Sequence, residues 1–253
     1  MDNVLLQIFS NLTSYLSEYR VVSEGEIRQT IGSEIGKLDN ESKNKLEEQL
    51  RDDPAEAIFE SIVSSPLSIF SPSLVQRDYL VETFYAPYVH RFFMNEMEQA
   101  FKRLIRTRAS TILPRLEAVI SGFLRKAGYT SFTIVNQDEP VDSKELTAAK
   151  GNSSLRLFLL PTIAFAHQCP DGASVIVVPT ENTPVLFVRF YREQHLEGTD
   201  IQVWVVDPEK ATVSPFFGDC ADKEIAKNFD NPDLKEGAAQ YFRSMKLPPL
   251  STR

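Results

Sequence analysis

Seven cations crowd into residues 102–126, namely Lys102, Arg103, Arg106, Arg108, Arg115, Arg125 and Lys126, against a single acid, Glu117. That is +6 over one short stretch of a chain whose net charge is −8. Clustered Lys and Arg neutralise phosphates or meet an acidic protein surface. Just upstream lie Tyr79, Phe84, Tyr85, Tyr88, His90, Phe92 and Phe93, rings of the kind that stack on bases or fill a core. Phe84, Tyr88 and Phe92 recur at i, i+4 and i+8, the spacing of one helix face, which favours packing over a ligand groove. The cations have a structural account too. Glu96 and Glu98 precede them, as the helix macrodipole rewards, and Glu98 and Lys102 stand four apart. Lys102, Arg103, Arg106, Arg108 and Arg115 are the candidate partner- or phosphate-binding set, provided they share one face.

Other chemistries find less support. The three histidines, His90, His167 and His195, have no i, i+4 spacing, and Cys169 and Cys220 stand apart in loop-like contexts, so no zinc site is expected. The ten glycines are scattered singly and form no phosphate loop, and no serine sits in a nucleophile elbow. A magnesium-dependent nuclease needs an acid on one strand and, on its neighbour, Glu or Asp two residues before Lys. Pro170-Asp171 offers the first element, but Glu181-Asn182-Thr183 lacks the lysine. Asp207-Pro208-Glu209-Lys210 has acids and a lysine in what reads as a hairpin turn. Arg189, Tyr191, Arg192, Glu193 and His195, with Glu181, read as surface pairing at a strand end. No catalytic residue, metal ligand or cofactor is expected.

The elements that must position the cations begin with helices. Leu5, Ile8, Phe9, Leu12, Leu16 and Tyr19 form an amphipathic stripe. Ser23-Glu24-Gly25-Glu26 is a capping box ahead of Ile27, Ile31 and Ile35. Leu38, Leu46 and Leu50 mark a third helix with a Glu41–Lys45 pair, and Asp53-Pro54 starts a fourth through Ile58, Phe59, Ile62 and Val63. Beyond the Ser/Pro-rich 64–73, helix is predicted to return near Ser73, with a new helix from Pro87 through Phe101 and Ile105. Ser110-Thr111 and Pro114 should break or kink it. Leu116, Ile120, Phe123 and Ala127 continue to Gly128, a left-handed C-cap.

After Gly128 the pattern alternates. Strands are predicted at 129–135, 155–165, 174–178, 185–191, 201–206 and 212–216, with a polar excursion over 137–152 that holds a short helix capped by Asp142. Their short connections suit antiparallel hairpins and a meander. Helices over 222–228 and 233–245 close the chain.

The expected class is α+β: a helical N-terminal half over 1–128, then an antiparallel sheet with C-terminal helices over 129–253, sharing one core if the halves pack. The Leu157–Ala166 run is too short for a membrane span, the first residues lack a signal-peptide pattern, and two isolated cysteines suit a reducing cytoplasm. The function expected is a non-enzymatic intracellular adaptor acting through protein–protein contacts. A nucleic-acid-binding regulator using residues 102–126 and a divergent metal-dependent nuclease are the alternatives.

Overall fold

The computed structural model describes all of the chain except residues 1, 51–52, 65–69, 78–79, 88–93, 138–141, 170–171, 182–183, 194–199 and 245–253. The chain forms two compact units, Met1–Leu104 and Ile105–Arg253, and the division falls inside a helix. The class is α+β.

In the first unit the local signals act as written. Helix α1 is Asp2–Tyr19, and the two-residue strand β1, Val22–Ser23, leads into α2, Glu24–Gly36. The Ser23 hydroxyl accepts the Glu26 amide while the Glu26 carboxylate accepts the Ser23 amide, a complete capping box. Helix α3 is Asn40–Leu50, and α4, Pro54–Val63, is capped by Asp53 with Pro54 in its first turn. Ile8, Leu12, Ile27, Ile31, Leu46, Ile58 and Phe59 from the four helices form the core, with Tyr85.

The helix predicted near Ser73 is instead a hairpin. Strands β2, Phe70–Arg77, and β3, Leu80–Pro87, pair antiparallel from Phe70 opposite Pro87 to Arg77 opposite Leu80, and β1 joins the far side of β3. Phe84 and Tyr85 therefore point to opposite sides of a strand, and Phe84 belongs to no helical stripe. Phe84 meets Phe101 at 6.4 Å and Tyr85 meets Phe59 edge-on at 6.2 Å, so both are packing residues. Tyr79, Tyr88, His90, Phe92 and Phe93 lie outside the described residues.

Helix α5 runs from Met94 to Lys126 with Pro114 inside it, so of the expected break or kink the helix shows no break. It ends as the sequence predicts. Gly128 adopts φ +90°, its amide reaches the Arg125 carbonyl at 3.0 Å, and the Tyr129 amide reaches Leu124 at 3.0 Å. These are the two hydrogen bonds of a Schellman C-cap.

The second unit is built on a six-stranded sheet in the order β4-β5-β6-β7-β8-β9. The strands are β4 Ser131–Gln137, β5 Ser143–Lys150, β6 Ser153–Leu159, β7 Val175–Pro179, β8 Gln202–Asp207 and β9 Thr212–Phe217. The sheet is mixed and not a meander: β4, β5 and β6 are antiparallel, β6, β7 and β8 are parallel, and β9 returns antiparallel. Parallel neighbours need crossovers. A 3₁₀ helix, Ile163–Gln168, lies between β6 and β7, and α6, Val185–Glu193, lies between β7 and β8. Two expectations fall with this. The run Val185–Tyr191, rich in β-branched and aromatic residues, is helical because it must bridge two parallel strands. Ser143–Lys150, a run of good helix formers, is a strand because β5 is paired on both sides, which outweighs propensity.

Leu116, Ile120, Leu124 and Phe123 of α5 pack on one face of this sheet against Leu146, Ala148, Leu157, Leu159, Val175, Val177, Trp204 and Val206. The short helix α7, Lys223–Ala226, adds Ile225 to that core. On the other face Phe187 and Phe190 of α6 meet Phe216, as does Phe242 of α8, Leu234–Ser244.

Candidate functional site

Each of the five candidate cations has a carboxylate within reach. Lys102 stands 3.9 Å from Glu98, as the i, i+4 spacing predicts. Arg103 is a structural member of the first unit. Its Nε donates to Glu26 Oε1 at 2.6 Å, its Nη2 donates to the Val21 carbonyl at 2.8 Å, and its guanidinium lies over Tyr19 at 4.3 Å. Glu26 is buried and also accepts from Tyr15, whose phenol burial and the Glu26 charge push up to about 12. A buried carboxylate with this many donors is satisfied, and losing Arg103 would leave its charge poorly matched.

Arg108 and Arg115 are tied to the second unit. Arg108 donates through Nε to the Pro161 carbonyl at 3.2 Å and through Nη2 to Glu181, whose side chain is only 5% exposed. Arg115 donates to Glu209 at 2.6 Å. Glu117, the lone acid of the stretch, accepts from Lys144 of β5. Arg106 differs: it is 75% exposed and only 4.0 Å from Asp142. No carboxylate lies in ion-pair contact with Arg125 or Lys126 among the described residues, and Arg125 lies over the Phe132 ring at 5.1 Å. The set thus divides. Arg103, Arg108 and Arg115 point at their own fold, while Arg106 and Arg125 stand beside strand β4.

Strand β4 was read only as the first strand of a sheet, yet its surroundings are unusual. Among the described residues it pairs with β5 alone. Ser131-Phe132-Thr133-Ile134-Val135-Asn136-Gln137 holds no charge and no proline, the devices that normally guard a sheet edge. Phe132, Ile134 and Asn136 stand opposite Ala148, Leu146 and Lys144, so they share the face that α5 covers. Phe132 is partly buried there, but Ile134 is 41% exposed and Val135, on the opposite face, 48%. Next to Asn136 opens a groove of about 370 Å³. Ala109, Ser110, Leu113 and Pro114 of α5 line it with Arg106, and Asp142, Ser143 and Lys144 form the other wall. A bare row of backbone donors and acceptors beside a helix-lined groove is the geometry that accepts an extended peptide as one more strand. The sequence signal that could have found it is the uncharged, proline-free run after Gly128.

The nuclease chemistry does not assemble in the described part. Asp171 lies outside the described residues. Asp207 caps its turn, accepting the Glu209 and Lys210 amides at 3.0 and 3.1 Å, and those hydrogen bonds hold its carboxyl below the usual range. Among the described residues no three His, Cys, Asp or Glu side chains gather where they could hold a metal ion. Of the Arg189 group, Glu193 and His195 also lie outside the description of side chains.

Residues 163–231 are similar to a family described as Domain of unknown function (DUF6834), C-terminal domain. That segment covers the 3₁₀ helix, β7, α6, β8, β9 and α7, and leaves α5 and the β4 edge outside it. No curated protein matches the chain.

Proposed function

We propose that this is a non-enzymatic binding protein of the cytoplasm, an adaptor that holds a partner protein by taking one of its extended segments as a seventh strand on β4. The observation that carries this is the bare edge of the six-stranded sheet, with Ile134 and Val135 exposed on an uncharged strand beside the groove under α5. Main-chain hydrogen bonds would supply affinity there, and covering Ile134 would add apolar burial. Both cysteines are free, and burial pushes the Cys169 thiol up to about 12, which suits a reducing compartment and an inert structural role. In keeping with that location, no helix among the described residues is long and apolar enough to cross a membrane. A nucleic-acid surface has less support, because Lys102, Arg103, Arg106, Arg108 and Arg115 each have a carboxylate within 4.0 Å.

Amide hydrogen exchange on the complex with a captured partner is the test. The amides of residues 131–137 that face away from β5 should slow at least tenfold on complex formation. Unchanged exchange in β4 sinks the reading. So does protection that appears with the protein's own concentration in the absence of a partner, since a second copy would then be the occupant.

A further inference from the structure

Resting on strand addition at β4, the geometry points to the chemistry of the added strand: aliphatic at its centre and acidic at both ends. Side chains of an added strand alternate between the two faces of the sheet, so every second one would lie on the α5 side with Phe132, Ile134 and Asn136. The position beside Ile134 meets an exposed aliphatic side chain and suits Ile, Val or Leu. At the Phe132 end stands the Arg125 guanidinium, over the ring at 5.1 Å and with no carboxylate in ion-pair contact among the described residues. At the Asn136 end stands Arg106, 75% exposed in the wall of the groove.

These are the α5 cations the fold leaves least engaged near this edge, and they bracket the strand. From Phe132 to Asn136 is about 13 Å at the rise of an extended chain, and Arg106 lies toward Asp142 beyond Asn136, so the two acids should sit about six residues apart. Lys144 contributes little to the selection because Glu117 already accepts from it. Among the described residues Asp142, 4.0 Å from Arg106, is the carboxylate in contact with that cation, and it holds Arg106 only loosely. Guanidinium–carboxylate pairs at the rim of a main-chain interface select partners more than they tighten them.

The test uses three fluorescein-labelled seven-residue peptides with a common Thr-Ile-Thr-Val-Thr centre, flanked at each end by one Glu, one Gln or one Lys. Anisotropy titrations of the full chain at low ionic strength, where exposed charges are least screened, should give the Glu-flanked peptide at least tenfold tighter binding than the Lys-flanked one. The Gln peptide should fall between. Arg106→Glu with Arg125→Glu should invert that order, and Asp142→Asn should favour the Glu peptide further. If the three peptides bind alike, or the double exchange leaves the order unmoved in a protein whose circular dichroism is unchanged, the charge pattern is overturned while strand addition stands. Binding of none of the three overturns both.

Discussion

The six-stranded sheet has two edges, and they are finished differently. At β9 the outer side is closed: the Asp230 amide donates to the Val213 carbonyl at 2.9 Å and the Asn231 amide to the Ser214 hydroxyl at 3.3 Å. Pro215 offers no donor, a register shift interrupts the pairing with β8 near Val203 and Trp204, and Phe242 of α8 packs on Phe216 at 6.1 Å. At β4, among the described residues, none of these devices is present, and two aliphatic side chains face water. Sheets whose edges are left open associate through them; among the described residues the β9 edge carries the devices that prevent this and the β4 edge does not. The cations of α5 follow the same division. Arg108 and Arg115 are joined to Glu181 and Glu209, which follow the parallel strands β7 and β8, whereas Arg106 and Arg125 stand by β4.

The sharpest way to break the comparison is to strip the guarded edge. Phe242→Ala removes a buried ring that touches Tyr191 and Phe216, and should lower stability by about 3–5 kcal/mol in urea unfolding. The variant should also scatter light at concentrations where the parent does not, through a newly exposed β9. A loss under about 1 kcal/mol would mean that α8 does not hold that edge.

Next comes the division among the cations. Arg108→Ala strands the Glu181 carboxylate, whose Oε1 has no hydrogen-bond partner among the described residues, and should cost about 3 kcal/mol. Adding Glu181→Gln should recover part of it. Arg106→Ala, exposed as that side chain is, should change stability by no more than about 0.5 kcal/mol. Equal effects at the two positions would erase the distinction between structural and surface cations.

A smaller effect is expected at the β8–β9 turn. The Asp207 carboxyl is held below its ordinary range by the Lys210 and Glu209 amides, so the folded state releases that proton more readily than the unfolded chain. Its stabilisation is therefore present above the ordinary carboxylate pKa of about 4 and is lost as pH falls through the lower folded value. Stability measured from pH 6 to pH 3 should fall by about 1 kcal/mol less in Asp207→Asn than in the parent. Identical slopes would remove the turn from the account of the guarded edge.

Smallest in stability, and most telling in function, is Ile134→Lys. A cation on an exposed edge position should leave unfolding within about 0.5 kcal/mol of the parent. It should nevertheless weaken partner binding by more than about tenfold, because it places on β4 the charge that guarded edges carry. Full binding by this variant would show that β4 is not the contact.

Much of the molecule was legible from residues near one another in the chain. The Ser23–Glu26 box, the Asp53-Pro54 start and the Gly128 stop are satisfied within a few residues of themselves, so their chemistry dictates the outcome wherever the segment packs. The α+β class followed from the change of period after Gly128. The failures share one cause. Phe70–Arg77 and Leu80–Pro87 form paired strands, Ser143–Lys150 a strand and Val185–Glu193 a helix because pairing and crossover with distant segments outweigh propensities worth under about 1 kcal/mol per residue.

The candidate site was half legible for the same reason. The sequence alone determined that residues 102–126 are strongly basic and that 129–135 is a strand-forming run. Only the tertiary structure decided which cations are spent internally, since Arg103 finds Glu26 and Arg108 finds Glu181 across more than seventy residues of chain. It likewise decided that β4 is an edge, because a strand's place in a sheet depends on what pairs with its other side, and nothing within the strand records that.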